Sequence, residues 1–268
     1  MPQKLSDLVV AIDRVVEAEP ERQTVYSQVI DQAQSIALSL RASHRTRAPL
    51  AEIFGAAELK AKEVGTKRLE PSQGYRDAVY FFLGHGSYPN TNIAFITKPS
   101  VLQQDGDTFT PCDTGAVEHG YLKPRYPEEN KTWDNVQQEE FYKSHLGELS
   151  EVASFAGPYL AAHFRQPIDY VRRGQSSTPD FSSYHGLESP RNDRRAWTIE
   201  LQVHHDVTLV ADQDRPEAIV IDGVDILMDI PSAYWPKVVV RDEEDDNFDI
   251  FLASQIEGMT LGHVGRRP

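Results

Sequence analysis

The chain has very little cysteine: Cys112 is the only one in 268 residues, so no internal disulfide can form. Long apolar runs are missing as well. None approaches the roughly 18 residues that a membrane helix needs, so no span is expected. Met1-Pro2-Gln3-Lys4-Leu5-Ser6-Asp7 is not a basic segment followed by an apolar one, so no secretory leader is expected. Together these absences fit a reducing cytoplasm. Positive charge is scarce too, with 27 Lys and Arg against 41 Asp and Glu, a net −14. A field of that sign disfavours long-range attraction of nucleic acid and leaves only local basic patches to meet phosphate. No metal motif stands out. There is no His-Glu-x-x-His, no Cys-x-x-Cys and no Gly-rich phosphate loop, and the adjacent His204 and His205 would face opposite ways on a strand.

What is present is ordinary for a globular protein: 40% apolar and 25% charged residues, in a length that suits one large domain or two small ones. Residues 1–66 read as a helical N-terminal region without strand-like stretches. Leu5, Leu8, Val9, Ile12, Val15 and Val16 recur at helical spacing, Glu19-Pro20-Glu21 interrupts, and Val25 to Leu40 gives a second amphipathic run. A basic connector (Arg41, His44, Arg45, Arg47) then leads through Pro49 into a third helix, to about Val64. Such helices must pack on something, either as a cap on the remaining chain or as a docking module.

Residues 67–268 read as a mainly β region with intervening helices, which makes the whole chain α+β. Ala78 to Leu83 is a continuous apolar run, the pattern of a strand buried on both faces. It ends at Gly84-His85-Gly86, which places His85 at a sheet edge with open backbone around it. A second strand spans Asn92 to Thr97. Residues 103–136 look irregular, and 137–164 helical with a break near Gly147. Residues 172–195 form a long polar loop whose aromatic content argues for order. Ala218–Ile221, Val224–Met228, Lys237–Val240 and Phe248–Leu252 read as strands, with Asp222-Gly223 as a hairpin signal. Asp242 to Asp246 reads as a solvated acidic loop.

The most informative stretch is Arg194-Arg195-Ala196-Trp197-Thr198-Ile199-Glu200-Leu201-Gln202-Val203-His204-His205. From Trp197 to Val203 apolar and polar residues alternate, the period of a strand with one face in the core. The opposite face presents Glu200 and Gln202 side by side on a rigid element. Two other features bear chemistry. Cys112 is a candidate nucleophile if a histidine lies beside it. Asp113-Thr114-Gly115-Ala116 has the form of the aspartic-protease loop, in which paired aspartates share a proton. It occurs once and follows a proline rather than an apolar strand. The plain alternative is a turn in which Asp113 caps the backbone and Gly115 supplies a positive φ.

His85 after a buried strand, the aromatic polar loop and Glu200 on a later strand come in an order that resembles the ADP-ribosyltransferase superfamily, particularly divergent bacterial toxins and phage-defence enzymes. The resemblance covers about residues 75 to 255. It implies NAD as substrate. His85, or alternatively Arg76, would bind the ribose or nicotinamide amide. Tyr184, or Ser182 and Ser183, would line the nicotinamide pocket, and Glu200 would be the catalytic carboxylate. Thr198 stands where many relatives carry Gln or Glu two positions before that residue, which leaves the acceptor open and Gln202 as a second candidate. Arg172, Arg173, Arg191, Arg194 and Arg195 could meet the diphosphate. A carboxylate fixed beside the ribose stabilises the charge that builds as the nicotinamide bond breaks. It can also act as base toward the acceptor. The acceptor would be a macromolecule, protein or nucleic acid, and an antitoxin or other protein partner could accompany the chain. Two other classes stand beside this one: a hydrolase using Asp113 or Cys112, and a non-catalytic partner-binding protein.

Overall fold

The structure is a computed structural model that describes residues 2–61, 77–84, 91, 93–118, 121–124, 135–172, 179–188 and 194–241. Its helices are α1 (Leu5–Ala18), α2 (Pro20–Ser39), α3 (Leu50–Ala56), α4 (Thr114–Glu118), α5 (Asn135–His145), α6 (Val152–His163) and α7 (Asp169–Arg172). Its strands are β1 (Ala42–Arg45), β2 (Glu58–Leu59), β3 (Val79–Leu83), β4 (Ile93–Thr97), β5 (Thr108–Thr110), β6 (Lys123–Pro124), β7 (Gly147–Glu148), β8 (Leu187–Glu188), β9 (Glu200–Val203), β10 (Val207–Thr208), β11 (Ala218–Asp222) and β12 (Val238–Arg241). Eight strands form one mixed sheet in the order β12-β11-β4-β1-β3-β9-β5-β7, and β10 with β2 and β6 with β8 form two small ribbons. The fold is α+β.

Helices α1, α2 and α6 cover one face of the sheet. In α1, Leu8, Ile12 and Val16 are buried at four-residue spacing, one stripe of a helix. Pro20 starts α2 at its first turn, where a missing N–H costs nothing. The close approach of α2 to α6 depends on Gly157, because a Cβ there would lie 2.0 Å from Gln34 Oε1 and 3.2 Å from Gln34 Cα. The Gln34 amide donates across this contact to the Ala153 carbonyl at 3.3 Å. On the same side Phe109 of β5 meets Phe155 of α6, with ring centroids 4.8 Å apart.

Several expectations change. The basic connector is strand β1, which pairs antiparallel with both β3 and β4 near the middle of the sheet. The N-terminal region therefore contributes a strand as well as helices. The third helix stops at Ala56, where Ala57 takes a left-handed conformation, φ 53°. Thr108–Thr110, inside the stretch expected to be irregular, is a strand. Val224–Asp229 is a 3-10 helix rather than a strand, and Asp222-Gly223 does not make a hairpin, since β11 and β12 run parallel. Parallel neighbours need a crossover, here two 3-10 helices with Pro231 between them. Phe248–Leu252 and the acidic run lie outside the described residues. No described helix is long and apolar enough to cross a membrane.

Candidate functional site

Cross-strand register defines the site. Phe82 of β3 pairs with Glu200 of β9 and with Ser43 of β1, and Glu200 pairs with Thr110 of β5. Directly opposed residues share a face, so Ser43, Phe82, Glu200 and Thr110 make one row across four strands. Tyr80, Gln202 and Thr108 make part of the next. This face is opposite to the one that carries Phe81, Leu201 and Phe109. The alternation anticipated the two faces of β9 correctly. However, the strand begins only at Glu200, and its polar face is buried: Glu200 is 1% exposed and Gln202 7%.

Three donors converge on the Glu200 carboxyl. The Thr114 hydroxyl donates to Oε1, the Thr114 N–H to Oε2 at 3.3 Å, and Gln202 Nε2 to Oε1 at 3.0 Å. Gln202 is held in turn by the Thr108 hydroxyl, 3.0 Å from its Oε1, and the same hydroxyl lies 3.0 Å from His204 Nε2. Thr114 is the first residue of α4, and Asp113 caps that helix by accepting the Ala116 N–H at 2.9 Å. The plain expectation for Asp113 is thus met, while Gly115 is helical rather than positive in φ. Burial and the neighbouring Asp113 push the Glu200 carboxyl up to about 8, against the pull of the Gln202 and Thr114 hydrogen bonds.

Cys112 is fully buried. Burial, then the charges of Glu200 and Asp113, push its thiol well above the usual range, which suppresses the thiolate a nucleophile requires. Beyond it, α4, α5, Leu187 and Trp197 form a second small core. The Tyr142 hydroxyl donates to the Thr114 carbonyl at 3.0 Å.

The other candidates are spread over the molecule. Arg195 is brought to the site through its backbone, its carbonyl accepting the Asp113 N–H at 2.9 Å, while its guanidinium lies 4.5 Å from the centre of the Tyr121 ring. Tyr184 is a core residue packed against Phe155, Tyr159, His163 and His185. Its hydroxyl is buried with no hydrogen-bond partner among the described residues. The Ser182 carbonyl accepts from buried Arg22 of α2, and the Ser183 hydroxyl donates to the Leu187 carbonyl at 2.6 Å. The described part of the aromatic loop is therefore ordered, but by docking onto α2 and itself. His163 and His185 are structural. Burial lowers the pKa of both, that of His163 to about 3. His85, Arg76, Arg173 and Arg191 lie outside the described residues, as does the Arg194 side chain.

Thr114, Thr108 and Asp113 as a partner of Glu200 were not legible as a site. The Asp113-Thr114 pair is visible in the sequence, but nothing local ties it to a residue 86 positions away. Among the described residues no group of His, Cys, Asp or Glu is placed to hold a metal ion. Comparison with protein families, curated proteins and solved structures gives no match.

Proposed function

We propose that the protein is an enzyme of mono-ADP-ribosyl transfer from NAD to a macromolecular acceptor, with Glu200 as its catalytic carboxyl. One observation carries this reading. Glu200 sits on a central strand with three donors arranged for its ionised form, while burial and Asp113 hold it near the point of ionisation. A carboxyl in that state responds to an arriving positive charge. The nicotinamide ring of NAD is cationic, and the sugar becomes so as the C1′–N bond breaks. Either charge draws the Glu200 proton off and is stabilised by the carboxylate that results. The nicotinamide leaves with the bonding pair, the acceptor nucleophile bonds to C1′, and its proton passes to Glu200. Gln202 orients the carboxyl through its hydrogen bond. Because Glu200 is buried, the proposal requires that its cover open to admit NAD. A bacterial toxin or phage-defence effector acting in the cytoplasm, with an antitoxin or other protein partner, is the setting this chemistry fits.

The hydrolase reading has one observation of its own. Asp113 stands near enough to Glu200 to raise it, a carboxyl pair within one chain. The two readings separate on one experiment. Purified protein and its Glu200→Gln variant are incubated with labelled NAD and cell lysate. Nicotinamide release and label transfer by the wild type, reduced about 10²–10³-fold in the variant, are the expected result. Absence of release, together with no rise in melting temperature on adding NAD, refutes transfer and leaves the Asp113–Glu200 pair to be assayed on peptides.

A further inference from the structure

Residues 179–188 lie against α2, α5 and α6, and two buried histidines hold them there as partners for the backbone. His163, the last residue of α6, accepts the Tyr184 N–H on Nε2 at 3.2 Å, and its Nδ1 lies 2.7 Å from the Tyr159 carbonyl. His185 accepts the Leu187 N–H on Nδ1 at 3.1 Å, and its Nε2 lies 2.8 Å from the Ala196 carbonyl. A carbonyl can only accept, so each ring carries its proton on that side and offers a lone pair on the other. The two histidines are therefore neutral and opposite tautomers, Nδ1–H in His163 and Nε2–H in His185. A second proton on either ring would set N–H against N–H in a buried place, since exposure is 0% for His163 and 9% for His185. The rest of the docking is fixed on the same elements. The His163 carbonyl accepts the Asp180 and Phe181 N–H groups at 2.9 and 3.2 Å, and Arg22 of α2 donates to the Ser182 carbonyl.

The surroundings also oppose protonation. Burial lowers both pKa values, that of His163 to about 3; Arg22 lowers His163 further, and His145 of α5 together with His163 lowers His185. Tyr159 of α6, Tyr184 and Cys112, the other titratable groups of this cluster, are buried and held protonated. The Asp180 carboxylate is exposed and accepts the Arg165 N–H at 2.8 Å.

We infer that residues 179–188 form an acid-released strap: protonation of His163 and His185 undocks them from α2, α5 and α6. The strap stands whether or not NAD is the substrate. An undocked imidazole takes up its proton near the ordinary 6.5, and a docked one does not, so the docked form is lost as pH falls below that value. Between pH 7.5 and 5 this favours release by about 30-fold for each histidine and on the order of 10³-fold for the pair.

The test is hydrogen exchange of the full chain, read by mass spectrometry and corrected for the intrinsic rate at each pH. Protection of residues 179–188 is expected to fall by that factor between pH 7.5 and 5, while α1 loses much less. His163→Gln keeps an acceptor for the Tyr184 N–H, and His185→Asn keeps one for the Leu187 N–H, but neither replacement titrates. Each is expected to remove about 30-fold of the pH dependence, and the double variant nearly all of it. Imidazole nitrogen NMR of the wild type is expected to show the two opposite tautomers at pH 7.5, a readout that needs no variant. Protection of the segment that does not change with pH, an equal loss in α1, an undiminished pH dependence in the double variant, or one tautomer shared by both rings overturns the inference.

Discussion

Replacing Glu200 by Gln should change how stability depends on pH. The native carboxyl titrates near 8 and an ordinary one near 4.5, so between those values the folded state holds a proton that the unfolded state gives up. Stability from this group is fully present below about 4.5 and is lost as pH rises toward 8. Each unit in that window removes up to about 1.4 kcal/mol, and the upper limit over the whole window is on the order of 5 kcal/mol, with relaxation around the buried site reducing it. Gln cannot ionise, so the term disappears. Its amide does meet the Thr114 N–H as donor against donor, but that penalty does not depend on pH. The diagnostic is therefore the slope: urea unfolding at pH 5, 6, 7, 8 and 9 should show the variant gaining on the wild type up to about pH 8, then running parallel. Asp113→Asn keeps a helix-capping side chain and removes the repelling charge, so it should shrink the wild-type slope. Parallel curves for wild type and Glu200→Gln across pH 5–8 would refute the reasoning.

Three further outcomes are expected. If NAD binding ionises Glu200, its affinity should rise with pH up to about 8, and calorimetry in buffers of different ionisation enthalpy should detect the released proton. Gly157→Ala should destabilise by about 1–3 kcal/mol, because the new methyl must displace the Gln34 side chain between α2 and α6; a midpoint shift in urea measures it. Cys112 should resist thiol reagents at pH 8 until the protein unfolds, and Cys112→Ala should retain activity, because the thiol is buried and held protonated; a time course of alkylation with and without denaturant decides this.

How much was legible depended on whether burial followed the apolar pattern. Leu8, Ile12 and Val16, and the runs at Val79–Leu83 and Ile93–Thr97, announced their elements because their apolar residues are also their buried ones. Strand β1 stayed hidden because it buries Ser43 and Arg45, residue types that read as surface. The same cause concealed half of the site. Alternation predicted that Glu200 and Gln202 share a face, but the burial of that face comes from elements far along the chain. Val224–Asp229 failed in the opposite sense. Its apolar residues suggested a core strand, yet Val224 is 62% and Met228 79% exposed.

The place of β9 in the sheet has a consequence for synthesis. It fills the gap between β3 and β5, and the Gln202 that touches Thr108 follows it by 94 positions. At translation rates of roughly 5–20 residues per second, the edges of β3 and β5 wait on the order of 5–20 s for the strand that covers them. Unpaired edges recruit other chains. A nascent chain stalled just before β9 has α1–α7 and five of the eight strands of the sheet, with the facing edges of β3 and β5 still open, and the outer edge of β4 stays open until β11 follows β9.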